Sequence, residues 1–145
     1  YSLGNVPTLS AGLTVNGQTG TVFEIKEDPS SETDNSLYLK NDATEATSEN
    51  LSNVYFAINK KGKITVEFKI FPVDTKAKIH ISLKSSQLTL KSGYLYVWAK
   101  GTNTSTSTKV PYTLNDWNTL KLVVDTDSEV YDCYLNNGKV ITYGY

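Results

Sequence analysis

The chain is predicted to be all-β, folded as a two-sheet antiparallel β-sandwich, and three observations carry that prediction. Apolar residues recur at every second position in about ten short segments, whereas no segment repeats them at helical spacing over three turns. Pairs of turn-forming residues separate these segments. The length, 145 residues, suits one domain, able to bury roughly 68–70% of its unfolded-chain surface.

The elements follow in order. Residues 21–27 alternate with Phe23 and Ile25 on one side, and 36–40 place Leu37 and Leu39 together. Residues 53–59 align Val54, Phe56 and Ile58. Residues 64–73 align Val66, Phe68 and Ile70 opposite Glu67 and Lys69. Ile79, Ile81 and Leu83 alternate with His80, Ser82 and Lys84. Further strands are expected at 87–90, 93–100, 119–125, 129–136 and 139–143. Asn16-Gly17, Lys61-Gly62-Lys63, Ser92-Gly93 and Asn137-Gly138 mark turns, the last a tight hairpin turn. Residues 28–35 are polar and turn-rich and are expected to form a loop. The stretch GTNTSTSTK at 101–109 suits a mobile loop or a polar edge strand.

Composition narrows the function. Hydrophobic residues make up 39% and charged residues 20%, which fits neither a disordered chain nor a membrane span. A net charge of −1 and a pI near 5.8 supply no field to attract nucleic acid or an anionic membrane, so neither is expected as a partner. All 14 cationic residues are lysine, so the planar fork that grips carboxylate bidentately is absent. The one cysteine, Cys133, alternates with Tyr131 and Leu135 and is expected to be a small buried hydrophobe.

Two long stretches resemble a known superfamily. One runs DNSLYLKNDATEATSENLSNVYFAINKKGKITVEFKI from Asp34 to Ile70; the other runs YTLNDWNTLKLVVDTDSEVYDCYLNNGKVI from Tyr112 to Ile141. Together they are similar to the concanavalin-like or laminin-G-like jelly rolls. They come nearest to modules appended to bacterial pectate lyases, including family 66 carbohydrate-binding modules. The resemblance implies a jelly-roll sandwich, a structural role for Trp117, and a strand-ending Asp125 that satisfies backbone groups in the next turn. It implies a single secreted module, residues 1–145, excised from a larger extracellular enzyme, monomeric and tethered to a catalytic domain. The chain departs from the family's best-known ligand pockets, which pair acidic residues with an arginine.

A search for catalysis finds little. Glycoside hydrolysis uses two carboxylates about 5–9.5 Å apart, and the Glu-x-Asp-x-x-Glu strand of jelly-roll glucanases has no counterpart. Asp125, Asp127 and Glu129 share parity, but Asp-Thr-Asp-Ser suits a turn that fans them into solvent. His80 is the one histidine, with no second catalytic partner near it in sequence. No nucleophile elbow, phosphate loop or metal-spaced His/Cys cluster occurs. The expectation is a non-enzyme.

Binding is the more productive direction. Sugars show apolar C–H faces ringed by hydroxyls, which suit aromatic rings and polar side chains, and ten tyrosines supply rings that tolerate a wet surface. In GYLYVWAK, residues 93–100, alternation puts Tyr94, Tyr96, Trp98 and Lys100 on one side and Leu95, Val97 and Ala99 on the other. Three arrangements remain open: an outward platform with rings roughly 6.6–7 Å apart, aromatics filling the core, or an exposed cluster without ligand. Tyr38, Tyr55 and Tyr134 interrupt apolar alternations and are expected to face outward, where strand pairing could gather them with His80 on one face. Lys69, Lys84, Lys100 and Lys121 share outward parity and, if clustered beside the tyrosines, would favour an acidic glycan such as a pectic polymer. One structural calcium ion is a further expectation, with oxygen ligands from Asp28, Asp34 and Asp42, and Asn41 and Glu45 nearby. The functional expectation is a plant cell-wall polysaccharide-binding module, the alternative a structural or protein-binding sandwich without glycan affinity.

Overall fold

The computed structural model describes residues 13–16, 21–41, 53–56, 60–75, 79–83, 86–98 and 108–144. These residues form antiparallel strands joined by turns, with no helix among them. The chain divides into two compact units, Tyr1–Asn59 and Lys60–Tyr145.

In the first unit, β1 (Leu13–Asn16) pairs with β4 (Asn53–Phe56), and β2 (Thr21–Asp28) pairs with β3 (Ser31–Asn41). The polar stretch expected to be a loop is instead the tip of the β2–β3 hairpin. Pro29 and Ser30 make the turn, and Asp28 Oδ1 accepts hydrogen bonds from the Ser30 amide (2.7 Å) and hydroxyl (2.6 Å). Asp28 thereby closes the chain reversal through its side chain, and the ladder then runs through polar residues because pairing uses the backbone alone. Ile25 is buried opposite half-buried Leu37. Leu39, expected beside Leu37 in the interior, is 46% exposed. A two-stranded ribbon twists strongly, so side chains two positions apart do not lie at equal depth.

In the second unit, one sheet has the order β12-β11-β10-β5, built from β5 (Lys63–Ile70), β10 (Asn118–Asp125), β11 (Val130–Leu135) and β12 (Gly138–Gly144). The other has the order β6-β7-β8-β9, built from β6 (Ile79–Leu83), β7 (Ser86–Lys91), β8 (Tyr94–Trp98) and β9 (Thr108–Pro111). Strict alternation decides which side each residue takes. Leu120, Leu122 and Val124 of β10 and Tyr131, Cys133 and Leu135 of β11 are buried, while the residues between them are half-buried. Leu88, Leu90, Leu95 and Val97 from the other sheet join the same buried cluster. Cys133 is buried as expected, and burial pushes its thiol up to about 12.

The turns follow residue chemistry. Ser92 and Gly93 both take positive φ, 51° and 82°, which matches the twist of the β7–β8 hairpin. At the β11–β12 hairpin the turn residues are Asn136 and Asn137 (φ 49° and 67°), one position earlier than expected, and Gly138 already pairs with Leu135. Asparagine tolerates the left-handed region. Asn136 is further fixed by its side-chain oxygen, which accepts from Thr119 N at 2.8 Å.

The corner before β10 is held by buried polar groups. Asn118 is 1% exposed; its Oδ1 accepts from Thr113 N (2.9 Å), and its Nδ2 donates to Thr113 O (2.7 Å) and Asp116 O (3.0 Å). Tyr112, also buried, accepts from Gly93 N through its hydroxyl, tying this corner to the β7–β8 turn. Trp117 packs edge-on against Phe71, centroids 5.5 Å apart. Asp125 Oδ1 accepts from the amides of Asp127 (3.0 Å) and Ser128 (3.2 Å), the turn-satisfying role expected of it.

Candidate functional site

The β8 strand sets one outer face. Leu95 and Val97 are fully buried, so alternation sends Tyr94 and Tyr96 to the other side, where both are half-buried. Of the three arrangements open for these two rings, core filling is the one that burial removes. Their centroids lie 6.4 Å apart, close to the spacing that strand rise dictates, but the rings are inclined at 63°. They therefore offer one face and one edge instead of a flat shelf.

Cross-strand register adds residues the sequence reading did not single out. Lys91 pairs with Tyr94, and Lys109 pairs with Tyr96. Each ammonium leans diagonally over the other ring: Lys109 Nζ is 3.8 Å from the Tyr94 centroid, and Lys91 Nζ is 5.1 Å from that of Tyr96. Both distances are within cation–π range. The legible signal was parity, because Lys91 alternates with Leu90 just as Tyr96 does with Leu95 and Val97. Thr89, opposite Tyr96, is 3% exposed, which closes the floor of this face. Position 80 pairs with Thr89, which puts His80 in the same backbone row as Tyr96 and Lys109. Trp98 pairs with Gln87 at the end of the strand, while Lys100 and Lys84 lie outside the described residues. Strands β6, β7, β8 and β9 contain no aspartate or glutamate, so the charge they carry is lysine.

Tyr134 does not join this face. It lies on β11 in the other sheet, and its neighbours Cys133 and Leu135 are buried. Since both sheets turn their aliphatic sides to one core, Tyr134 and Tyr96 occupy opposite outer faces. Register puts Glu67, Lys121, Tyr134 and Lys139 in one row. Lys121 Nζ stands 4.5 Å from the Tyr134 centroid, and Lys139 Nζ 6.0 Å.

The adjoining row holds an organised polar group. Asp132 Oδ1 accepts from the Thr142 hydroxyl and pairs with Lys139 Nζ at 2.9 Å; its Oδ2 lies 3.5 Å from the Tyr134 hydroxyl. Thr142's hydrogen bond, then that of Lys139, hold the Asp132 carboxyl below its ordinary value, and Asp132 in turn raises Lys139. These groups border an open depression of about 340 Å³ with Val123 and Val130 in its lining and Lys63 and Asp125 also contributing. The backbone hydrogen bond of Ser128, then its hydroxyl and the Asp127 amide, lower Asp125. Asp132, Lys139, Thr142 and Lys63 escaped the sequence reading. Asp132 shares parity with Tyr134, and the Asn-rich turn folds Lys139 back opposite Tyr134 and Thr142 opposite Asp132, so the pattern was present but needed the hairpin register.

The remaining candidates are dispersed. Tyr38 lies in β3 of the first unit with Lys26 Nζ 3.9 Å from its centroid, and Lys26 also pairs with Glu24 at 2.9 Å. Tyr55 lies in β4 opposite Thr14. Tyr38 and Tyr55 thus sit in two separate ribbons, and among the described residues neither ribbon pairs with a strand bearing Tyr134 or His80. Of the calcium candidates, Asp28 caps the hairpin turn and Asp34 accepts from Ser31 Oγ at 3.1 Å, while Asp42 lies outside the described residues. Calcium takes about 6–8 oxygen ligands, and among the described residues no group of three or more His, Cys, Asp or Glu could hold a metal. A comparison with family models, curated proteins and solved structures finds no match to this chain.

Proposed function

We propose that the chain is a non-catalytic carbohydrate-binding module of jelly-roll type. In this reading it is secreted and monomeric, and it targets a tethered enzyme to a plant cell-wall polysaccharide. One observation carries the reading: Tyr94 and Tyr96 stand outward over a closed sheet, flanked by Lys91 and Lys109, on strands without a carboxylate. An aromatic ring meets the C–H face of a sugar, and an ammonium beside it meets a uronate carboxylate. The lysine excess favours an acidic polymer of the pectic kind over neutral glucans or fructans on this face.

Affinity electrophoresis and calorimetry over pectins, xylans, glucans and fructans test the proposal. Retardation by de-esterified pectin, weakened by salt as lysine–carboxylate contacts are screened, is the expected result. No uptake of any polymer would sink it. A second reading has its own observation. The two rings pack edge-to-face under lysine ammoniums, a self-contained arrangement that also suits a structural or protein-binding sandwich. In that case the panel gives no retardation, and Tyr96→Ala changes stability alone.

A further inference from the structure

The outer face of the β12-β11-β10-β5 sheet differs in kind from the Tyr94/Tyr96 face, because it bears both signs of charge around a concave surface. We propose that the depression beside Asp132 is a second saccharide site, one that takes an uncharged sugar ring. The site stands apart from the Tyr94/Tyr96 reading, since its residues lie on the other sheet and on the opposite side of the core.

Charge selects the ligand class. Lys63 and Lys139 are balanced by Asp125 and Asp132 around the depression, so neither a polyanion nor a cation is drawn in by net attraction. What remains is a close alternation of acceptor and donors: the Asp132 carboxylate, the Thr142 hydroxyl and the Lys139 ammonium. Neighbouring hydroxyls on a sugar ring each donate and accept, so they can engage such a set together. A carboxylate offers about four lone-pair sites. Thr142 and Lys139 both use Oδ1, which leaves Oδ2, met among the described residues by the Tyr134 hydroxyl at 3.5 Å, with capacity for a ligand hydroxyl.

Shape agrees with this chemistry. Val123 and Val130 give the depression apolar surface for the C–H side of a ring, and Tyr134 stands in the next row. The volume, about 340 Å³, is at the lower end of the roughly 300–1,000 Å³ usual for ligand sites. That suits one or two rings better than a long stretch of polymer. Asp132 is held in place before any ligand arrives, so little ordering cost falls on binding.

The test uses the full chain, observed by amide NMR, with cellotetraose, xylotetraose, mannotetraose and tetragalacturonate as probes. At least one neutral tetrasaccharide is expected to shift the amides of β10, β11 and β12. Its affinity should change less than about twofold between low and high salt, since no net charge is matched. Asp132→Asn and Thr142→Val should each weaken it at least tenfold while melting temperature shows both variants folded, and Tyr96→Ala should leave it unchanged. Equal neutral-sugar affinity in wild type, Asp132→Asn and Thr142→Val overturns the proposal. So does the absence of any neutral-sugar shift, and if tetragalacturonate then still binds and is lost in Tyr96→Ala, the reading of the first face survives alone. Loss of neutral-sugar binding in Tyr96→Ala with Asp132→Asn unaffected also overturns it.

Discussion

Leu95 and Tyr96 are neighbours in β8 and stand on opposite sides of the sheet, so truncating each one separates packing from recognition. Leu95 is fully buried among Leu88, Leu90, Val97 and the β10–β11 leucines. Leu95→Ala removes buried methyl groups and leaves a cavity, at a cost of about 2–5 kcal/mol. At roughly 3–4 °C per kcal/mol for a chain of this length, the melting temperature should fall by roughly 6–20 °C. Tyr96 is half-buried; its ring touches Tyr94 edge-on and sits under Lys91. Tyr96→Ala forfeits two contacts worth about 0.5–1.5 kcal/mol each at such positions, so on the same scale its melting temperature should fall by roughly 3–12 °C. Its retardation by acidic polysaccharide should weaken at least tenfold, equivalent to about 1.4 kcal/mol. Differential scanning calorimetry and affinity electrophoresis on the same preparations read both effects. If Tyr96→Ala proves the more destabilising of the two, or Leu95→Ala abolishes binding while Tyr96→Ala keeps it, the alternation argument for this face is wrong.

Other perturbations probe separate parts of the molecule. Asn118→Ala removes the buried side chain that bonds Thr113 N, Thr113 O and Asp116 O, and at about 0.5–1.5 kcal/mol net for each hydrogen bond, urea denaturation should show a midpoint loss comparable to a core truncation. Asp125 and Asp132 have folded-state values lowered by their hydrogen bonds, so their contribution is present above the usual carboxylate range and lost as pH falls through the folded values. Melting temperature should therefore drop below about pH 4, and Asp132→Asn should blunt that drop. The Cys133 thiol, pushed up to about 12 in the interior, should resist thiol reagents at pH 8 in the native protein and react at the rate of unfolding.

The second unit was the more legible part of the chain. Val66, Phe68 and Ile70, the β10 leucines, and Tyr131, Cys133 and Leu135 alternate cleanly because each strand has one side on the core and one in water. The β2–β3 hairpin was legible in its strands, at 21–27 and 36–40, but not at its tip. Its tip is made of Ser, Thr, Asp and Asn, and ladder hydrogen bonds leave no trace in side-chain hydropathy. The candidate sites divide along the same line. That Tyr94 and Tyr96 share one side, and that Tyr134 faces away from Cys133 and Leu135, was readable from period two; that the first two point outward needed burial, and their companions Lys91, Lys109, Asp132 and Thr142 depend on cross-strand register. For Asp132 and Thr142 that register turned on the placement of one asparagine turn, at Asn136-Asn137 instead of Asn137-Gly138. Alternation fixes a side within a strand but not the sheet to which the strand belongs, and Tyr134 and His80 fall in different sheets.

The pairing of β5 with β10 also bears on how the molecule assembles. β10, β11 and β12 follow one another closely along the chain, as do β6, β7 and β8, so each set needs only local closure. The β5–β10 ladder, from Ile70–Asn118 to Lys63–Asp125, joins segments separated by the whole of the opposite sheet. Closing so long a loop costs entropy before any contact rewards it, so β5 is expected to dock last on a preformed three-stranded meander. Val66→Ala should then accelerate unfolding far more than it slows refolding in stopped-flow experiments.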